Sequence, residues 1–147
     1  ALKKFFNFFV EHSVWTHERI PQGWNGSPKI ARDSMNETFS DKTLQEFKTK
    51  NNINNIDFQP STYQQILTTF VDDLAVFTPR VLPGSYKGEF SAQKYHLTAI
   101  DAIFYALNKW GWLISLRKST VAKNQFIFLG ATWDLENETV GINNDRL

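Results

Sequence analysis

Apolar and polar positions change period several times along the chain, and each change marks an element. Residues 5–20, FFNFFVEHSVWTHERI, are apolar and aromatic with partial alternation, which predicts one or two strands. PQGWNGSP (21–28) carries two Pro and two Gly in eight residues and reads as a loop. Ser27 and Pro28 open a helix over about 28–39, with Ile30, Ala31, Met35 and Phe39 spaced as its buried stripe. From 40 to 62 the chain is polar, and the Asn-rich NNINNID (51–57) suggests a loop or insertion. Strands follow at 64–71 and 74–78 with Asp72 and Asp73 at the turn between them, then a loop at 79–90. Ser91 is placed to cap a helix over about 92–110. Its apolar positions Leu97, Ile100, Ile103, Phe104, Leu107 and Trp110 step by three or four, and Gly111 stops it. WLISL (112–116), QFIFLG (125–130) and ATWDL (131–135) read as short strands, and ENET (136–139) as a turn. The order predicts an α+β fold in which an antiparallel sheet packs against two helices.

Composition narrows the chemistry without choosing it. With 41% hydrophobic and 21% charged residues, the 147-residue chain can bury a core. Its 13 Phe, 5 Trp and 4 Tyr exceed what a small core needs, so some are expected to meet other protein. A net charge of +1 is too small to argue for or against nucleic acid. The absence of Cys removes disulfides, thiolate metal sites and Cys nucleophiles together. His12, His17 and His96 are scattered and are assigned no role. No apolar run approaches the roughly 20 residues of a membrane span, and the N-terminal apolar stretch lacks a signal-peptide pattern. A soluble protein or fragment is expected.

Asp72 and Asp73 pose the main question. Asp is common in turns because its side chain bonds nearby backbone. Two-residue hairpin loops, however, prefer Asn-Gly or Asp-Gly. Two carboxylates held together also repel unless a cation lies between them. Mg²⁺ takes oxygen ligands, commonly one or two carboxylates plus substrate phosphates. The pair therefore reads either as a plain turn or as a platform for metal-assisted phosphoryl transfer.

Its company carries a resemblance. FVDD between hydrophobic strands resembles the catalytic box of reverse transcriptases, and PQGWNGSP resembles the loop-and-helix motif of their retroviral and LTR-retrotransposon branch. HLTAIDAIFYALNKWGWLISLRKS is similar to the helix, strand and lysine that close the palm in that family, and FLGATW to the hairpin that grips the primer end. The resemblance spans about residues 15–135. It implies a polymerase palm over 21–135, with strands over 1–20 before it and a C-terminal turn and tail at 136–147. The palm would carry an insertion at about 40–62. By resemblance, Asp72 and Asp73 are the metal ligands, Asp72 the more direct, with Mg²⁺ or Mn²⁺ as cofactor. Gln22, Gly23 and Trp24 would lie at the nucleotide and template, Lys118 near the leaving phosphates, and Leu129 and Gly130 at the primer grip. Partners would be an RNA or DNA template-primer and deoxynucleotides, within a cell or a virus-like particle. Trp110 and Trp112 read as packing residues, and Arg19, Lys29 and Arg32 as phosphate contacts or a solvated face.

The resemblance is incomplete. The family's third acid, in an aspartate-x-x-x-aromatic setting before PQG, has no counterpart: Glu11 and Glu18 are the acids before Pro21 and neither has that setting. The chain is thus expected to be an incomplete palm, starting after the first catalytic motif and ending after the primer grip. Such a piece would be inactive alone, with other chains or the missing fingers and thumb supplying the rest. The alternative is a non-catalytic structural or nucleic-acid-binding component derived from a reverse transcriptase.

Overall fold

The computed structural model describes residues 7–20, 22–53, 67–70, 72–78 and 92–142. The 79–90 loop, the capping position Ser91, most of the Asn-rich patch and residues 143–147 lie outside the described residues. The chain divides into two compact units, residues 1–36 and 37–147.

In the first unit, β1 (Asn7–Val10) pairs antiparallel with β2 (Ser13–Thr16), with Phe8 opposite Trp15 and Phe9 opposite Val14. The two connecting residues, Glu11 and His12, both take positive φ (48° and 67°). That is the primed-turn geometry whose twist matches a hairpin, here without the usual glycine. Phe8 leans on His17 with ring centroids 4.9 Å apart. Helix α1 (Ser27–Thr38) starts where the Ser-Pro pair predicts. Its opening turn is tied by Ser27 N–H to the Trp24 carbonyl (3.0 Å) and Ile30 N–H to the Gly26 carbonyl (3.2 Å). Of the predicted stripe, Met35 is buried and Ile30 and Ala31 are half-buried.

The second unit holds the main core. Helix α2 (Asp41–Lys50) follows a break at Ser40, whose extended backbone (φ −69°, ψ 155°) ends the α1 path. The polar stretch that begins at residue 40 is helical in its first part: residues 41–50 form a helix that buries Thr43, Leu44, Phe47 and Lys48. Only two of those four are apolar, so the stripe is nearly invisible to hydropathy. Asp41 in the first turn and Lys48 and Lys50 in the last suit the helix dipole. The helix ends in a Schellman-type cap: Ile53 N–H reaches the Lys48 carbonyl (2.9 Å), Asn52 N–H reaches Thr49 (3.3 Å), and Asn52 has φ 54°. The first asparagines of the Asn-rich patch are thus a helix stop.

Strands β3 (Leu67–Phe70) and β4 (Asp73–Val76) form an antiparallel hairpin. Helix α3 (Ala92–Lys109) closes through a second cap of the same kind. Trp112 N–H bonds the Leu107 carbonyl (2.9 Å) and Gly111 N–H bonds Asn108 (3.2 Å), with Gly111 at φ 74°. The buried face of α3 is not quite the predicted one. Tyr95, Ala99, Ala102, Ile103, Ala106 and Leu107 are buried, whereas Leu97 and Trp110 remain 48% and 44% exposed. Alanines at three or four residue spacing make a shallow face, and shallow faces let helices approach closely. Leu44 and Phe47 of α2 fill it, with Leu67, Leu74 and Val76 of the hairpin packed against the same cluster.

Residues 112–116 do not form the predicted strand. The Trp112 amide is used in the α3 cap and the Leu116 amide bonds the Ile114 carbonyl (3.1 Å), ahead of a short 3₁₀ turn (Leu116–Lys118) where Lys118 N–H bonds the Ser115 carbonyl (3.0 Å). A three-stranded antiparallel sheet follows: β5 (Gln125–Phe128), β6 (Ala131–Asp134) and β7 (Thr139–Ile142), in that spatial order. Strand β7 replaces part of the tail predicted at 136–147. The fold is α+β, and the strand pairing among the described residues is antiparallel. Three α-helices and three small antiparallel sheets among the described residues make up the mixed α+β class that the pattern predicts.

Candidate functional site

The acid pair lies at the end of the β3–β4 hairpin. Phe70 pairs with Asp73, so Asp72 occupies the two-residue turn and Asp73 is the first residue of β4. Both side chains are exposed. Leu67, Leu74 and Val76 pack into the core behind them, so burial of the hairpin's body holds its polar tip in water. Among the described residues neither carboxylate forms an ion pair. Also among the described residues, no three His, Asp or Glu side chains gather as a metal cage.

Beyond β4 the chain is fastened on two sides. Thr78 Oγ1 shares a hydrogen bond with His96 Nδ1 of α3 (2.8 Å). Burial around His96 holds its pKa below the ordinary 6.5. Phe77 packs its ring 5.8 Å from both Phe126 and Trp133. Those two rings stack parallel on one face of the β5–β7 sheet, and the Trp133 Nε1–H donates to the Phe128 carbonyl (3.2 Å). The aromatic contact ties the segment leaving the acidic hairpin to the sheet that carries Leu129 and Gly130.

Leu129 and Gly130 form the two-residue turn between β5 and β6, with φ of 53° and 74°. Gly130 adopts this freely, but Leu129 is held there by the ladder on either side, its side chain 48% exposed. Asp134 anchors the next turn: its Oδ1 accepts the Glu136 and Asn137 amides (3.0 Å each), and its Oδ2 accepts Gln125 and Asn137 side-chain amides. These donors, the Asn137 side chain first, lower its pKa to about 2. Lys118 ends the 3₁₀ turn with its side chain exposed.

Gln22, Gly23 and Trp24 belong to the first unit. Gly23 has φ 89°, a conformation L side chains rarely adopt, and Gln22 beside it is exposed. Lys29 pairs with Asp33 one helical turn on (2.6 Å) and Arg32 approaches the same carboxylate (3.9 Å). Lys29's hydrogen bond is the main cause that lowers the Asp33 pKa. These are exposed neighbours on α1.

A family model for reverse transcriptase (RNA-dependent DNA polymerase) matches residues 2–133. The chain belongs to the reverse transcriptase family. Neither curated proteins nor solved structures give a significant match to it. Reverse transcriptases are nucleotidyltransferases that act on a nucleic-acid template-primer and in general use divalent metal ions. Among the described residues, no helix of this reverse-transcriptase domain is long and apolar enough to cross a membrane.

Sequence reasoning gave His96 no role, yet it is the α3 group bonded to Thr78 at the far end of β4. Nothing local in the sequence signals that contact, because the partners are 18 residues apart. Trp112 packs against the core as read, whereas Trp110 remains 44% exposed. Their indole N–H groups also donate to Thr43 (3.3 Å) and Thr38 (2.8 Å), which joins the end of α3 to the α1–α2 break.

Proposed function

We propose that this chain is palm material of an RNA-directed DNA polymerase of the retroviral and LTR-retrotransposon type. Asp72 and Asp73 then hold the divalent ions for nucleotidyl transfer to a primer 3′-hydroxyl. The observation that carries this reading is the adjacent pair of exposed carboxylates at the tip of a core-anchored hairpin, inside a reverse-transcriptase match. The donor set fits the ion: Mg²⁺ is oxygen-liganded and is commonly bound by one or two carboxylates with substrate phosphates completing the shell. Bound there, it would neutralise charge developing on the transferring phosphoryl group.

The chain's own residues supply positioning. Asp72, in the turn, is the more direct ligand and Asp73, in the strand, supports it. Lys118 offers a cation for the leaving phosphates. The Gln22 amide can donate to and accept from a nucleotide or template base, and Gly23 lets the backbone approach it. The Leu129–Gly130 turn presents the primer end. The third carboxylate of two-metal chemistry comes, in this reading, from another chain or another segment of a longer protein.

That dependence favours a second reading. Since no third acid stands beside the pair among the described residues, the fold could serve as a reverse-transcriptase-derived structural or nucleic-acid-binding component. Primer extension on an RNA template with Mg²⁺ separates the two. Extension by the native material that disappears in an Asp72→Asn, Asp73→Asn double variant supports catalysis at this hairpin. The expected loss is roughly a hundred-fold or more. Equal extension by both would exclude these carboxylates, and none from either folded protein would favour the structural reading.

A further inference from the structure

Trp24 stands between two glycines that serve different physical needs. Gly23 has φ 89° and nothing within 4 Å of where a Cβ would be, so glycine is required there by conformation. Gly26 is the reverse. Its φ lies outside the left-handed region, so its backbone would accept an L side chain. The space would not: an added Cβ would lie 2.6 and 2.7 Å from Cζ3 and Cζ2 of the Trp24 indole, with Cη2 nearer still. The indole is folded back onto the bare Cα of the residue that opens α1. The backbone of the same turn is closed by the Ser27 N–H to the Trp24 carbonyl (3.0 Å), and the Gly26 carbonyl accepts the first helical bond from Ile30 (3.2 Å).

We propose that Gly26 is a positioning residue: it provides the seat that fixes the Trp24 ring, and through it the shape of the 22–24 turn that meets nucleotide. The second half rests on the nucleotide-facing role proposed above for Gln22 and Gly23. A ring seated on α1 makes the turn part of a rigid element, and rigid placement is what a polar group such as the Gln22 amide needs to act on a substrate. A Cβ at 26 must push the ring out, because the three atoms nearest to it all belong to that ring.

The atoms that would clash belong to the outer ring of the indole, and a phenylalanine lacks them. This gives a cycle in the full chain. The five tryptophans are labelled with 5-fluorotryptophan, and Trp24→Phe assigns the Trp24 signal. Gly26→Ala should shift that signal and raise its solvent accessibility while the other four stay put. In the Trp24→Phe background, Gly26→Ala should be nearly silent in melting temperature and in deoxynucleotide affinity measured on template-primer. In the Trp24 background it should weaken nucleotide affinity roughly ten-fold or more. An unmoved Trp24 signal, or equal effects of Gly26→Ala in both backgrounds, would overturn the proposal. A moved signal with unchanged nucleotide affinity would reduce the contact to packing and overturn the positioning role. Failure of the unsubstituted protein to bind nucleotide would refute the functional reading itself, and be recognised by leaving the fluorine cycle intact.

Discussion

At the scale of single residues, two side chains sense pH in predictable directions. Burial holds the pKa of His96 below 6.5. As pH falls past 6.5 the unfolded chain takes up that proton before the folded one does, so unfolding is favoured. The stability present above the unfolded pKa is therefore lost as pH falls through the folded value. Melting from about pH 7.5 to about pH 5.5 should show a drop that His96→Gln reduces. Asp134 behaves as a carboxylate whose folded pKa is depressed to about 2 from 3.8. Its contribution is present above 3.8 and is lost only as pH falls through about 2, so mild acid should spare the β6–β7 turn. Asp134→Ala, by contrast, should speed amide exchange at Glu136 and Asn137 at neutral pH. Neither partner set was legible beforehand. His96 finds Thr78 only once β4 and α3 are packed, and Asp134 finds Gln125 only across a strand pair.

At the scale of elements, helix ends were readable where one residue type does a local job. Gly111 was expected as a stop and is one, with φ 74° in a Schellman cap. Gly111→Ala should cost about 1 kcal/mol, the penalty for a Cβ in that conformation, measurable by denaturant unfolding. Asn52 plays the same part for α2, but a run of asparagines reads as low complexity and hides a single capping residue. Trp112 joins elements that local pattern cannot relate: its indole N–H donates to buried Thr38, 74 residues away. Trp112→Phe removes that donor and should destabilise the protein by roughly 1–3 kcal/mol. The misread segment 112–116 has the composition of a strand. Its first and last amides, of Trp112 and Leu116, are used locally, and composition does not report such competition.

At the scale of the whole molecule, the core is assembled from α2, α3 and the β3–β4 hairpin, which lie far apart in the chain. Phe47, 5% exposed at its centre, should cost about 3–5 kcal/mol when replaced by alanine. Amides of α3 should exchange slowest, and those of the β1–β2 hairpin, exposed on all eight strand residues, fastest. The sequence by itself determined what depends on near neighbours: the two hairpins at Asp72 and Leu129, the start of α1 at a Ser-Pro pair, the end of α3 at a glycine. It also carried the family, because the motifs that bear the resemblance are short and local. Tertiary structure alone decided that a polar decapeptide becomes core helix α2 and that α3 buries its alanines in place of Leu97. It alone fastened the acidic hairpin's far end by His96 and Phe77. Those outcomes depend on which surface is presented by residues tens of positions away, and no period along one segment encodes its partner's shape.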